Sequence, residues 1–506
     1  MTLNHLILCR EFPPARGGGI GTYALNASRS FADNGETLHV VTQFCEGADK
    51  AREETCNGKV IVHRVPFDDW TALLGPKPYP ALLTKTELKL FHSCFYPQCF
   101  SWSAAILIEK LIQQEGIDVI EAQEYEAPLY YFQLRRALGL GPTRQPPCFV
   151  HLHSPSQLIA RHNDWEPDRP ALIAAARLEE FSIRSADALL CPSRYLARQS
   201  EQHYRLATSS IEVIHYPHFE RDGMDRADEV WRNGTICYVG RLERRKGVLE
   251  WIKTAVSVAE QNPDVCFDFV GENVLGNGGR SGRAIVADMI PKRLRRRFRF
   301  HGACTRAAIP GHLARARIAV VPSRWENFPY TCIEAMRSGT PVLATATGGM
   351  AEMIENNQTG WLAETTNQLT EAFSRALNCS PTRLKEMGSN AQASIRDLCN
   401  PDSIFEQQMD FRKRMIARGA DRSLRLPKNL DWLDPALFTQ TNSCVDSESM
   451  CDITQVMIEI DGSRMRSSDH SRISPLRVAM DSPIRTGTIA ANKLRGKFQR
   501  YWERIK

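Results

Sequence analysis

Short β-branched runs alternate with longer amphipathic stretches through most of this chain, and the rhythm breaks once and then restarts. Strands are expected at 5–9, 38–43, 60–65, 118–123, 148–153, 188–193 and 212–216, with helical patterns between them, as at 21–34, 103–115 and 170–184. A polar, acidic break follows near 217–233, with a hinge near 215–220. New strands are then expected at 235–242, 266–272, 298–302, 318–323 and 341–346. Strands spaced by helices argue for a mostly parallel sheet covered on both faces. The class is therefore α/β, and 506 residues exceed what one core comfortably supports. Two consecutive domains follow, 1–216 and 217–400.

The remainder reads differently. A closing helix is expected at 401–419, with Pro401 in its first turn. Residues 420–484 are polar with little periodicity, the pattern of a flexible linker. Helical spacing returns at 485–506, where Leu494, Phe498, Trp502 and Ile505 form one stripe among Lys493, Arg495, Lys497, Arg500 and Arg504. Such a basic amphipathic helix lies on an anionic membrane, docks on a partner through 489–506, or packs on its own domain.

The net charge of +6 is slight for this length, compatible with an anionic ligand or an acidic lipid surface but no nucleic-acid footprint. The basic run at 292–299 lacks interleaved aromatics and precedes a strand, so a solvated helix end is expected there and nucleic acid is not an expected partner. Fifteen cysteines are scattered without a C-x-x-C pair, and no metal site is expected from them. With no signal peptide in MTLNHLILCREFPP, reduced thiols in a cytoplasmic protein are the reading. No apolar run approaches the roughly 20 residues of a membrane helix.

Ligands of open α/β sheets bind beyond the carboxyl ends of the strands, and the unusual residues stand there. The first strand leads into Gly17, Gly18, Gly19 and Gly21, a loop able to approach a ligand or simply a flexible turn, and neither a G-x-G-x-x-G fingerprint nor a P-loop. His153 ends another strand, where both a structural and a functional histidine fit. Arg241 and Lys246 follow a strand–Gly turn and can face the interdomain cleft, Arg as a fork on a diphosphate and Lys as a point charge. Arg244 and Arg245 read as a solvated basic turn. In SRWENFPYTCIEA, Glu326 and Glu334 are separated by seven residues, and a Gly-Gly turn follows at Gly348 and Gly349, with amides free to meet an oxyanion or hydroxyl. Two carboxylates can do acid–base work, clamp a hydroxylated ligand, or stand in solvent.

Residues 239–363 resemble the donor domain of the retaining glycosyltransferases of family 4, glycosyl transferases group 1, which have the GT-B fold. The E-x7-E spacing, the preceding Pro-Ser strand end, the following Gly-x-Pro-Val strand and Gly-Gly turn, and the upstream Arg/Lys pair all match. The glycine loop and His153 fit that family's acceptor-side domain, and the similarity covers roughly 3–418. The resemblance implies two Rossmann-like domains facing a cleft, the first on the acceptor side and the second for the nucleotide-sugar donor. It implies a nucleotide-diphosphate sugar as co-substrate, with no cofactor or metal. Glu326 would contact donor sugar hydroxyls and Glu334 the ribose diol, which suits a carboxylate accepting from a vicinal diol. Arg241 and Lys246 would hold the diphosphate, and His153 would reach the donor sugar. Gly18 and Gly19 would close over phosphate or acceptor. Amides around Asn327, Phe328, Pro329 and Tyr330 would contact the sugar, and the base would lie near Gly302 and Ala303. A front-face, retaining mechanism is part of the same inheritance. The acceptor stays open, whether glycan, lipid-linked or small molecule. So do two alternatives on this architecture, a nucleotide-sugar 2-epimerase and a catalytically silent scaffold. Two departures stand out: a Gly-rich insertion after FVGE, either an excursion or a lid, and the bulky FPY where relatives are Gly-rich.

Overall fold

The computed structural model describes residues 2–65 (16, 46 and 49 aside), 86, 87, 90, 93–219, 226–420 (278 and 279 aside) and 454. The expected tail helix at 485–506, and all of the 420–484 linker except 420 and Thr454, lie outside these residues. Thr454 is buried, with its hydroxyl 3.1 Å from that of Tyr130.

Eight strands form the first sheet: β1 (Asn4–Leu8), β2 (Thr37–Gln43), β3 (Arg52–Thr55), β4 (Val60–Val65), β5 (Val119–Gln123), β6 (Cys148–His151), β7 (Ala188–Cys191) and β8 (Ile211–Val213). Their order is β3-β4-β2-β1-β5-β6-β7-β8, parallel throughout except for β3 against β4. The second sheet uses β9 (Thr235–Val239), β10 (Phe267–Val270), β13 (Phe298–Gly302), β14 (Ala316–Val321), β15 (Val342–Thr345) and β16 (Gly360–Ala363) in the order β13-β10-β9-β14-β15-β16. A small hairpin, β11 (Gly276–Asn277) with β12 (Arg280–Ser281), stands between. Numbered along its own domain the second order is 3-2-1-4-5-6, the doubly wound arrangement whose switch point lies between the first and fourth strands. Here those strands are β9 and β14.

The apolar pattern explains the layers. Leu6 and Leu8 of β1 enter one core while Ile7 and Cys9 enter another on the opposite face. That second cluster does not stop at the domain boundary: it joins Tyr23 of the first domain to Phe328, Tyr330 and Cys332 of the second. Besides the β11–β12 hairpin, two strands of the large sheets escaped the expected set. β3 reads REET, a charged edge that resists further pairing, and β16 is only four residues.

Helix ends follow their capping chemistry. Ser193 accepts the Leu196 N–H at the head of Arg194–Tyr204, and Asn400 accepts the Asp402 and Ser403 N–H groups ahead of Pro401–Arg418, with Pro401 in the first turn as expected. This closing helix returns to the first domain, where Ile404, Phe411 and Met415 pack on Val119, Phe149 and Leu190. The Gly-rich insertion forms the β11–β12 hairpin and then the helix Gly282–Met289, and Leu275 and Val286 at its two ends are buried in the second domain's core. The basic run at 292–299 opens as a short 3-10 turn, Lys292–Arg297, whose Lys292, Arg293, Arg295 and Arg296 are exposed, the solvated helix end expected of it. Arg297 donates to the carbonyls of Val265, Ala259 and Asn262 at a helix C-terminus, and Arg299 pairs with Asp268 at 2.9 Å. No helix among the described residues is long and apolar enough to cross a membrane.

Candidate active site

The loops that follow β9, β14 and β15 interlock around Glu326. Gly247 sits at φ +66°, and a Cβ placed on it would stand 1.8 Å from the Pro322 carbonyl oxygen. Only glycine permits that approach, and it brings Lys246 against the loop after β14. From the other side, Cβ atoms on Gly348 and Gly349 would stand 1.8 and 1.5 Å from the carbonyl oxygens of Glu326 and Asn327. The Gly349 N–H donates to the Glu326 carbonyl at 3.0 Å. These glycines therefore pack backbone on backbone, and the Gly349 amide is taken by a carbonyl rather than left for a ligand.

The clamped loop presents a compact charge cluster. Glu326 is 6% exposed, and its Oε1 receives Arg245 at 3.1 Å, the Lys246 ammonium, and Ser323 Oγ at 3.5 Å. Arg245 also donates to Glu243 at 2.9 Å. Burial alone would raise the Glu326 carboxyl, but Lys246 and Arg245 outweigh it and hold it below the usual carboxylate range. Burial pulls the Lys246 ammonium down, with the Glu326 charge acting against that pull. Arg241 is the accessible member, its side chain 55% exposed and 3.4 Å from Glu243. Two carboxylates against three cations leave the cluster one net positive charge at the switch-point edge.

Arg245 corrects the sequence reading. It was expected in solvent with Arg244, yet it is buried and its backbone N–H donates to Asn163 of the first domain at 2.9 Å. RLERRKG spells a surface turn because its local pattern cannot reveal a carboxylate eighty-one positions away. Arg244 is half-exposed beside Asp164.

Glu334 lies on the helix Tyr330–Arg337, buried, with Arg306 at 3.4 Å. Arg306 also reaches Thr22 of the first domain at 3.0 Å and lies over the Tyr330 ring, two links that the sequence did not signal. Gly302 and Ala303, ahead of Arg306, are exposed at the end of the edge strand β13, and the Gly302 carbonyl accepts the Gly271 N–H at 2.8 Å.

Across the cleft, His153 follows β6 on a loop built over buried carboxylates. Both oxygens of Glu124 accept the His153 N–H at 2.8 Å and one accepts that of Ser154, while Glu179 accepts Ser156 N–H at 2.9 Å and Glu126 N–H at 3.0 Å. Burial raises Glu124 to about 7 and Glu179 to about 8. His153 Nδ1 meets the Tyr216 hydroxyl at 2.5 Å, and burial keeps its ring neutral, well below the usual imidazole range. The two domains touch here directly, because the Asn327 amide donates to the His153 carbonyl. Tyr216 stacks on Tyr330 at 5.3 Å and His215 on Phe328 at 4.9 Å, so the bulky FPY turn is spent on domain contact. Glu352 accepts the Arg194 and Tyr195 N–H groups at 3.0 and 2.7 Å, a carboxylate of one domain at a helix N-terminus of the other. Gly18 donates its N–H to Glu11 Oε2 at 2.9 Å, and a Cβ on Gly19 would lie 3.7 Å from Tyr330, which brings the glycine loop to the same cleft.

The structure thus brings His153, Glu326, Lys246, Arg241, Glu334, Gly18, Gly19 and the 327–330 turn to one interdomain cleft, with Gly302 and Ala303 at its outer edge. Comparisons with known proteins agree with this geometry. A model for glycosyltransferase family 4 matches residues 17–217, and one for glycosyl transferases group 1 matches 226–394. Glycogen synthase of Mycobacterium tuberculosis is 24% identical over 376 residues, 70% of this chain and 81% of that protein. D-inositol 3-phosphate glycosyltransferase of Nocardiopsis dassonvillei is 28% identical over 358 residues, 68% and 77% of the two chains. Among solved structures, sucrose-phosphate synthase from Thermosynechococcus elongatus superposes with a TM-score of 0.60 at 20% identity, covering 82% of this chain and all of that one. Anabaena HepE in complex with UDP gives 0.56 at 17% identity, with 82% of this chain and all of that one covered. With both halves matched and the doubly wound sheets facing one cleft, this chain is a nucleotide-sugar glycosyltransferase of group 1, family 4, with the GT-B fold.

Proposed function

We propose that the chain transfers a sugar from a nucleoside-diphosphate donor to an acceptor hydroxyl with retention of configuration, and that side-chain cations rather than a metal stabilise the departing diphosphate. The observation that carries this reading is the one-sided anchoring of Glu326. Its Oε1 takes all the contacts from Arg245, Lys246 and Ser323, leaving Oε2 as the acceptor for donor sugar hydroxyls. The same cluster sets Lys246 beside the carboxylate and the exposed Arg241 at the mouth. The nucleotide's phosphates would therefore meet a net positive edge while the sugar meets an anion.

In this reading the donor's C1–O bond breaks and the acceptor oxygen bonds to C1 from the face the diphosphate leaves. The acceptor proton passes to a phosphate oxygen of the leaving group. Arg241 and Lys246 balance the charge that grows there, worth on the order of a hundredfold or more in rate. His153, neutral and held by Tyr216, offers a hydrogen-bonding ring near the reacting carbon without adding a charge. Glu334 accepts the ribose diol. HepE is solved with UDP, and a uridine donor is one member of the set to be offered. The relatives' acceptors differ in their names, and the acceptor of this chain is left to experiment.

Proton NMR of the product's anomeric signal tests the proposal, with turnover followed in the presence and absence of EDTA. A product with the donor's anomeric configuration and a rate unchanged by EDTA supports it. An inverted product, or a rate abolished by EDTA and restored by a divalent cation, overturns it.

A further inference from the structure

The closing helix Pro401–Arg418 is remote in sequence from every residue so far placed in the cleft, yet it carries a fully buried guanidinium. Arg412 is 1% exposed, its guanidinium lies between the rings of Phe31 and Phe149 at 4.8 and 5.0 Å, and it pairs with Glu121 Oε2. The other oxygen of Glu121 receives two donors, the Tyr23 hydroxyl at 2.7 Å and His151 Nδ1 at 2.8 Å. Gln408, one turn before Arg412, donates to the Tyr23 hydroxyl at 3.2 Å. A carboxylate oxygen that faces Arg412 through its twin can only accept, so His151 is held with its proton on Nδ1. That ring stacks on His153 at 4.4 Å, and Tyr23 contacts His153 from a second direction at 5.2 Å. A cavity of about 10 Å³, room for one water at most, is lined by Cys9, Tyr23, Glu121 and His153.

We propose that Arg412, Glu121 and His151 are positioning residues for His153, so that the returning helix sets the geometry of the cleft's first-domain side. Leaving a buried ion pair in a core is poor value for stability alone, because well-packed apolar residues of similar volume serve as well or better. Its position is what distinguishes this one: it terminates on the imidazole stacked against His153. Arg412 fixes the Glu121 carboxylate, the carboxylate fixes the tautomer and plane of His151, and His151 and Tyr23 leave the His153 ring one orientation. Tyr216 then completes the hold at Nδ1. The inference rests on the reading of His153 as a residue that meets the donor sugar.

The test compares the full chain carrying Arg412→Met, Arg412→Lys, Glu121→Gln and His153→Ala. Arg414→Gln on the same helix, which breaks exposed pairs with Glu212 of β8 and with Asp410, serves as control. Turnover of the preferred donor and donor affinity are measured beside nitrogen NMR of histidine-labelled protein. Arg412→Met and Glu121→Gln should lower kcat by ~10- to 100-fold, as small misplacements of a reacting group do, with donor Kd within about twofold of the parent. Arg412→Lys should recover part of that loss, and the ring nitrogens of both His151 and His153 should shift in the two damaging variants. Where Arg412→Met does not fold, the isosteric Glu121→Gln carries the test. Variants that lose thermal stability but keep kcat and both histidine signals would show the network to be structural only and overturn the proposal. His153→Ala with undiminished turnover would instead overturn the reading of His153 itself.

Discussion

Replacing Glu326 by Gln keeps the side chain's size and removes one charge from the centre of the cluster. At 3.1 Å from Arg245, and with an effective dielectric of about 20, each ionic contact of the carboxylate is worth about 5 kcal/mol before desolvation is counted. Most of that is offset by the cost of holding the ions away from water. Removing one partner of a buried pair nevertheless costs about 3–5 kcal/mol, because the cations left behind stay buried. The amide oxygen recovers about 1 kcal/mol as a neutral acceptor, which leaves a net loss of about 3 kcal/mol. For a domain of this size that lowers Tm by roughly 6–12 °C, readable by calorimetry. Lys246 sharpens the test. Without the Glu326 charge, burial lowers its folded-state pKa further below the unfolded value. The variant's folded state then binds fewer protons, and its deficit relative to the parent shrinks as pH rises. Combining Glu326→Gln with Arg245→Met removes one charge of each sign and should recover at least ~1 kcal/mol relative to the summed single losses. An unchanged Tm in Glu326→Gln, or strictly additive effects in the pair, would refute the reasoning.

Other outcomes follow from the same geometry. Gly247→Ala forces a Cβ onto the Pro322 carbonyl at a left-handed φ and should cost about 3 kcal/mol or more, seen as a lower denaturant midpoint. Glu179 holds a proton in the folded state up to about pH 8 that the unfolded chain has released from about pH 4.5. Stability supplied by that proton is full at acid pH and lost as pH climbs through the folded value, at up to ~1.4 kcal/mol per pH unit. Glu179→Gln should therefore flatten the decline measured between pH 7 and 8. Asn327→Ala removes the amide that donates to the His153 carbonyl, so the domains should separate more readily, at about 1 kcal/mol, and the radius of gyration in X-ray scattering should rise. An unchanged radius would mean that the stacked Tyr216–Tyr330 contact holds the domains without it.

Much of this was legible locally. Strand–helix alternation reported the two doubly wound sheets, because strands buried on both faces must be apolar throughout. The Glu326–Glu334 segment carried its own strand end, loop and helix start, so its place at the switch point could be read from one stretch. Pro401 and the cap before it set the closing helix by purely local chemistry. The rest depended on partners far along the chain. Arg245 looked solvated because its carboxylate lies on another loop, and Arg412 meets Glu121 across 291 positions. Gly348 and Gly349 resemble a ligand-binding turn in sequence, and only the backbone opposite shows that packing uses them. Glu121 and Glu124 are buried in the core, where one orders two histidines and the other caps a loop, and nothing in their local sequence tells them from surface carboxylates. The REET edge and the Glu352 contact with a neighbouring helix gave no periodic signal at all.

Calorimetric titration of a panel of UDP-, GDP- and ADP-sugars into the purified protein, with and without EDTA and beside Glu334→Ala, tests the donor site most directly. One donor should bind, insensitive to EDTA, with affinity lost in the variant. No binding by any donor, or full binding by Glu334→Ala, would contradict the assignment of this cleft as the nucleotide-sugar site.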